Sequence, residues 1–356
     1  MGELETFRDE ARAWLAANRD KAPSRNYGAI VSPELVDEGI AWQQTLYECG
    51  MTGFHWPKEY GGQERSREIS SIWLEEAAYA DVPPFLNMVS HVLMAETVMA
   101  VGTPEQKEEH LPPTLRGERV WCQLFSEPGA GSDLASLSTK AIKDGDEFVM
   151  NGQKVWCSNG RVADYGICLA RTDLDAPKHK GISYFLLDMK LPGIEIRPIE
   201  QITGGSDFDE VFFTDVRVPE KALLGPLHGG WGVAMGTLTN ERGHIGASVI
   251  SLARRLEDLD DVDLWVRGKA LEYLGRRQGP EASIYASLMK LGLSELMFDI
   301  AVARANALGP EGMLDNETSR GLLGAPGARI AGGSSQVQRN IIGEMILGLP
   351  KEPKPA

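Results

Sequence analysis

Several things are scarce in this 356-residue chain, and each scarcity excludes a class of function. Four cysteines, Cys49, Cys122, Cys157 and Cys168, show no Cys-x-x-Cys spacing, so zinc is not expected and reduced, mostly buried thiols are. Basic residues are outnumbered 36 to 51 by acidic ones, and a formal net charge of −15 argues against nucleic acid as the main partner. An anionic small ligand then requires cations placed locally. No run approaches the roughly 18 apolar residues of a membrane span. The opening "MGELETFRDEARAWLAANRD" is acidic and amphipathic rather than basic and then apolar, so a signal peptide is not expected. A cytoplasmic location is the expectation. The nucleotide-binding Gly-x-Gly-x-x-Gly, the P-loop, the Gly-x-Ser-x-Gly elbow and the His-Glu-x-x-His metal motif are all missing. Six scattered histidines, among them His55, His91 and His110, read as packed or surface residues.

What is present falls into three regions. Residues 1–118 read as an N-terminal helical domain, with Phe7, Ala11, Trp14 and Leu15 on one helical stripe. Ser32-Pro33 and Thr103-Pro104 mark helix starts, the second completed by Gln106 as a capping box, and residues 54–66 form a loop between helices. From 119 to 225 the period changes to short β-prone runs, with Asp144-Gly145 and Asn151-Gly152 as hairpin turns. That predicts a small antiparallel β-barrel. A helical pattern returns over 226–349, and residues 350–356 read as a disordered tail. The fold class is mainly α with a middle β domain, and the absence of alternating βα units excludes a doubly wound sheet.

Four stretches bear on chemistry. In "SEPGAGSD" (126–133), Ser126 and Ser132 bracket Gly129 and Gly131, small residues that let backbone N–H groups approach an anionic or heteroaromatic ligand; an ordinary turn is the competing reading. In "KVWCSNG" (154–160), Trp156 and Ser158 alternate on a strand and share a face, where an indole and a hydroxyl can meet a ring system, or simply end a core. In "TNERGHIGAS" (239–248), Glu241 offers a base and Arg242 an anion clamp, unless they are a solvated pair at a helix start. The last, "IAGGSSQVQRN" (330–340), enters a helix through two glycines and two serines.

Together and in this order, these stretches and "DVRVP" at the end of the β region resemble the acyl-CoA dehydrogenase family. The resemblance implies an N-terminal α domain, a middle β domain and a C-terminal helical bundle, with FAD as cofactor between subunits. It implies that Ser126 and Ser158 hydrogen-bond the flavin ring, that Trp156 packs along it, and that Gln123, Phe125, Gly131 and Ser132 line the same pocket. Ser132 also matches a position near the pantetheine chain, Arg242 one near the CoA moiety, and Ser334 and Gln336 positions that contact FAD. In many relatives the catalytic glutamate lies two residues before the Ser or Thr of the last loop. Here that position is Gly332, which offers only a backbone N–H to the developing enolate oxygen, while Glu241 matches the base position of another subset.

The implied reaction is α,β-dehydrogenation of an acyl-CoA to the 2-enoyl-CoA, with an electron-transfer flavoprotein as acceptor. An Arg-x-x-Phe and a Gln-x-x-x-Gly-Gly motif that relatives use on a neighbour's FAD are missing; Arg276, Arg277 and Gln278 are candidate substitutes. That departure, with "WPKEYGG" and "GGSDFDEVFFTDVRVP", resembles the actinobacterial steroid side-chain enzymes, in which a second dehydrogenase-like subunit completes a heterotetramer; a homo-oligomer is the alternative. A bulky, branched or steroid side-chain acyl group is the favoured substrate. The competing functions are a non-catalytic partner subunit and a flavin monooxygenase or oxidase on the same fold.

Overall fold

The computed structural model describes residues 2–240, Leu256, 261–275 and 282–351. They divide into two compact units: Met1–Gln201 with Gly205–Asn240, and Ile202–Gly204 with the described residues beyond Asn240. Glu241, Arg242, Arg276, Arg277 and Gln278 lie outside the described residues.

The first unit opens with helices α1 (Glu3–Asn18), α2 (Val36–Glu48), α3 (Arg67–Tyr79), α4 (Ala95–Val101) and α5 (Pro104–Leu115). The expected stripe of α1 is the buried one, since Phe7, Ala11 and Leu15 pack with Trp42, Ile69 and Trp73 of α2 and α3. Helix α5 starts as its sequence predicts. Thr103 accepts from the Gln106 N–H, Gln106 answers to the Thr103 N–H, and Pro104 occupies the first helical position. Ser32 behaves differently: its side chain makes no cap, and Pro33–Leu35 form a single 3-10 turn before α2. Ahead of α4, Val89–Met94 run as a buried π-helical turn.

Eight strands follow: β1 (Trp121–Leu124), β2 (Lys140–Asp144), β3 (Glu147–Ser158), β4 (Tyr165–Arg171), β5 (Ile182–Asp188), β6 (Ile194–Ile199), β7 (Phe208–Pro219) and β8 (Leu223–Leu224). They hydrogen-bond in the order β6-β7-β3-β2-β4-β5-β8, with β1 beside β4. Pairing is antiparallel except where β1 and β2 meet β4. The Asp144-Gly145 turn joins β2 to β3 as predicted. Asn151-Gly152 does not turn the chain. It sits inside β3 at a register shift, where Asn151 exchanges two hydrogen bonds with Asp215 of β7. Gly152 has φ +152°, and a Cβ there would lie 2.5 Å from the Thr139 hydroxyl, so close backbone approach rather than a hairpin demands the glycine. A helix over 230–240, α6 in its described part, closes this unit.

The second unit contains α7 (Val262–Gly275), α8 (Ala282–Ala307), α9 (Glu317–Ala328) and α10 (Ser335–Asn340). Leu256, Leu264, Met289, Leu293, Leu296 and Ile300 form its core. Among the described residues, no helix is long and apolar enough to cross a membrane.

Candidate active site

Strand β1 delivers the chain into the 126–133 loop, and β3 runs past it. Two hydrogen bonds set their relation. The Val155 N–H donates to the Ser126 carbonyl at 3.0 Å, and the Lys154 ammonium donates to the Phe125 carbonyl at 3.0 Å. Lys154 is wholly buried and also meets the Glu127 carboxylate at 2.8 Å. That carboxylate accepts from the Ser138 N–H and hydroxyl and from the Thr139 N–H, so its oxygens are fully engaged. Burial pushes the Glu127 carboxyl up, but the Lys154 charge and these donors outweigh it and bring it down to about 2. Glu127 and Lys154 are thus a buried ion pair that ties the loop to β3 on both sides of Ser126. Both residues lie in the stretches that bear on chemistry, where two opposite charges in otherwise small or apolar surroundings are the only sequence signal for the pair.

Around this clamp the candidate residues of the first unit come together. Phe125 is buried, its ring edge-on to Tyr184 at 5.7 Å, and Gln123 is half-buried on β1. The relation between Trp156 and Ser158 is not the simple alternation expected. Three steps along β3, from Lys154 to Cys157, match two along β7, from Val211 to Asp209, and Trp156 takes the left-handed conformation at φ +60°. A non-glycine there costs about 1–2 kcal/mol, and such strain is concentrated at functional sites. The bulge turns the indole outward, 57% exposed, while Ser158 stays buried. The two still converge: Phe208 is the register partner of Ser158 and meets the Trp156 ring at 6.0 Å.

The hydroxyls of Ser126, Ser132 and Ser158 and the amide of Gln123 make no side-chain hydrogen bond to described residues. A Cβ on Gly129 or Gly131 would meet nothing within 4 Å, and neither has a left-handed φ. Their own chain therefore gives no packing or conformational reason for glycine. Exposed ring, uncommitted hydroxyls and open backbone are a donor set that fits a flat heteroaromatic cofactor such as a flavin.

In the second unit, Gly332 is left-handed at φ +63°, which suits glycine, and its N–H donates to no described acceptor. Its carbonyl accepts from the Gln338 amide at 3.1 Å. Ser334 caps α10 by accepting from the Val337 N–H, leaving its own proton available. Glu295 of α8 holds this loop: its carboxylate takes the Ser335 hydroxyl at 2.7 Å and Arg329 Nε at 2.8 Å. Gln336 lines a cavity of about 400 Å³ with Glu295, Arg329, Ile330 and Arg339 among its neighbours.

Comparison with known proteins settles the family. Residues 2–118, 122–216 and 268–347 match the N-terminal, middle and C-terminal domain models of acyl-CoA dehydrogenases. The chain belongs to the acyl-CoA dehydrogenase family. It is 38% identical over 386 residues to the acyl-CoA dehydrogenase IpdE1 of Mycobacterium tuberculosis, covering 99% of this chain and 100% of that one. Among solved structures it resembles the Tcur3481-Tcur3483 steroid acyl-CoA dehydrogenase, with a TM-score of 0.82, 28% identity and 98% of each chain covered. It also resembles a chain of the ChsE4-ChsE5 complex of Mycobacterium tuberculosis, with a TM-score of 0.80, 29% identity and 99% of each chain covered. The steroid-type resemblance read from the sequence is therefore that of its relatives, and the fold is the acyl-CoA dehydrogenase fold. As a member, the chain is an FAD-dependent oxidoreductase acting on acyl-CoA thioesters.

Proposed function

We propose that this chain is the catalytic subunit of a heteromeric acyl-CoA dehydrogenase that desaturates a bulky or branched acyl-CoA of steroid side-chain type, with Glu241 as base. The observation that carries the reading is the clamp of Glu127 and Lys154, which holds Ser126 against the Trp156–Ser158 bulge while the two serine hydroxyls have no side-chain hydrogen bond among the described residues. Ser126 and Ser158 would hydrogen-bond the flavin, Trp156 would lie along it, and Gln123, Phe125, Gly131 and Ser132 would complete its wall. Ser334 and Gln336 would meet the cofactor from the last loop. When bound, FAD accepts the hydrogen and electron pair that leave the β-carbon.

The protein's own part is proton chemistry and positioning. The α-carbon of a thioester is a weak acid, so its proton must go to a carboxylate whose pKa is raised by desolvation against the substrate. Glu241 takes that proton. The thioester oxygen gains negative charge as the proton leaves, and the Gly332 N–H, which has no acceptor among the described residues, would donate to it. Arg242 would hold the CoA portion. The steroid and heteromer parts of the reading draw on the relatives named as a steroid acyl-CoA dehydrogenase and as a two-component complex, and on the missing FAD motifs. An electron-transfer flavoprotein is the proposed acceptor.

Glu241→Gln tests the base. Expected is protein with unchanged flavin absorbance whose flavin is no longer bleached by acyl-CoA; wild-type bleaching would overturn the assignment. Flavin per chain tests the partner. A chain purified alone with little flavin, and one filled when a second dehydrogenase-like chain is co-expressed, is the expected pair of results. A full complement of flavin in the lone chain would mean a homo-oligomer.

A further inference from the structure

A buried acceptor left without a donor is costly, and His91 has one. The residue sits in the π-helical turn Val89–Met94, every member of which is buried, and turns of this kind recur at functional sites. Its ring is stacked on Phe85, centroids 5.5 Å apart, and lies tilted beside Trp56 at 6.2 Å. Nδ1 is 3.2 Å from the Asn87 carbonyl, and a carbonyl can only accept, so Nδ1 carries the ring proton. Burial brings the imidazole down to about 4, which keeps it neutral at pH 7. Nε2 is therefore a bare acceptor, and it has no donor among the described residues. The buried hydroxyls nearby are served. Thr97 donates to the Leu93 carbonyl at 2.6 Å, and Thr97, Thr237 and Tyr184 form a chain with spacings of 2.8 and 3.3 Å. The turn is also tied to the candidate active site. Asn87 donates to the Trp121 carbonyl at 3.2 Å, and the Ser90 hydroxyl accepts from the Trp121 N–H at 3.1 Å, at the head of the strand that leads to Gln123 and Phe125. Trp56, Phe85, Val89 and Val92 share one apolar cluster with Phe125, and the partly buried, flexible Met88 and Met99 border it.

We infer that His91 is a specificity-determining residue whose Nε2 accepts a hydrogen bond from a hydroxyl on the bulky acyl group, so that the substrate class is an acyl-CoA carrying a ring hydroxyl. The apolar cluster takes the hydrocarbon, and the acceptor set within it reads the polar group. Such an acceptor discriminates by what it cannot pair with. A ketone or ether oxygen sets a second acceptor against Nε2, and a bare hydrocarbon leaves Nε2 desolvated and unpaired. The inference rests on the acyl-CoA reading and deepens it.

The test measures flavin bleaching by cyclohexylpropanoyl-CoA and by its ring-hydroxylated, ring-keto and ring-methoxy derivatives, each substituent placed in turn at the ring positions farthest from the side chain. The flavin-loaded protein is used, with its partner subunit where loading requires one. For the wild type, kcat/KM with the better hydroxyl isomer is expected to exceed that with the keto, methoxy and unsubstituted thioesters by about tenfold. His91→Phe keeps a ring beside Phe85 and Trp56 but cannot accept, and should bring that ratio to one. His91→Gln, which accepts through Oε1, should keep part of it. Both variants should load flavin as the wild type does, because the Asn87 carbonyl stays engaged by the backbone N–H at position 91. A histidine that served packing alone would, when replaced, slow all the thioesters alike and leave the ratio standing. A wild-type ratio of one, or a ratio that survives His91→Phe, overturns the inference while leaving the acyl-CoA reading in place. If none of the thioesters bleaches the flavin, the unsubstituted parent included, it is the acyl-CoA reading that has failed.

Discussion

Glu127 and Glu295 do the same job in two different surroundings. Each is a carboxylate that gathers donors from a small-residue loop: Glu127 holds the 126–133 loop through Lys154, Ser138 and Thr139, and Glu295 holds the 332–335 loop through Arg329 and Ser335. Glu127 and Lys154 are closed off from solvent, whereas Arg329 and Arg339 around Glu295 remain 36% and 56% exposed. Both carboxyls lie below the ordinary range. For Glu127, burial raises the carboxyl and Lys154 with its fellow donors more than reverses it; for Glu295, the Arg329 and Ser335 hydrogen bonds lead and burial opposes them. A buried pair cannot fall back on water when one partner goes. An exposed one can. One loop is therefore built to be rigid and the other to be adjustable.

The largest way to break this comparison is Lys154→Met, which leaves the Glu127 carboxylate buried without its cation. The expected loss is about 3–5 kcal/mol in urea unfolding, accompanied by loss of bound flavin, and the double variant Lys154→Met/Glu127→Gln should recover much of the stability. A double variant no better than the single one would mean that the pair is not what holds the loop. Acid sharpens the contrast next. Because Glu127 titrates at about 2 in the folded protein, its contribution is present above the ordinary carboxylate range, near pH 4.3, and is lost as pH falls toward 2. Glu127→Gln should accordingly flatten the fall in stability between those limits, measured by unfolding at a series of pH values. In the second unit Glu295→Gln is expected to cost only about 0.5–1 kcal/mol, and 0.5 M salt should erase most of that difference while leaving the Lys154→Met loss in place. Smallest is Arg339→Ala, whose guanidinium stands 3.4 Å from the Glu295 carboxylate; its effect on the unfolding midpoint should fall within about 0.5 kcal/mol.

The open backbone of the candidate site was legible in the residues. Small residues at Gly129 and Gly131 announced open backbone, and open backbone is what the structure has there. Other parts were not legible, for physical reasons. Asn151-Gly152 carries a turn signal like that of Asp144-Gly145, yet the twin hydrogen bonds to Asp215 and the nearness of Thr139 keep it in the strand. Local propensity amounts to tenths of a kcal/mol, and cross-strand pairing outweighs it. Trp156 and Ser158 were expected to share a face by period two; they meet at Phe208 through a bulge, which no periodicity encodes. Ser334 showed its hydroxyl in the sequence but not that the hydroxyl also caps α10.

The sequence by itself determined the helical, β and helical order, the capped start of α5, the buried stripe of α1 and the motifs that place the chain in its family. Those features depend on contacts between near neighbours or on runs of residues whose spacing can be counted. Only the tertiary structure decided that Glu127 finds Lys154, that Asn87 ties the π-helical turn to β1, and that Glu295 reaches the last loop from α8. These partners are 27 to 40 residues apart along the chain where they form side-chain pairs with Lys154 and Ser335. A charged residue read in isolation looks solvated; only packing that removes the water shows which opposite charge must replace it.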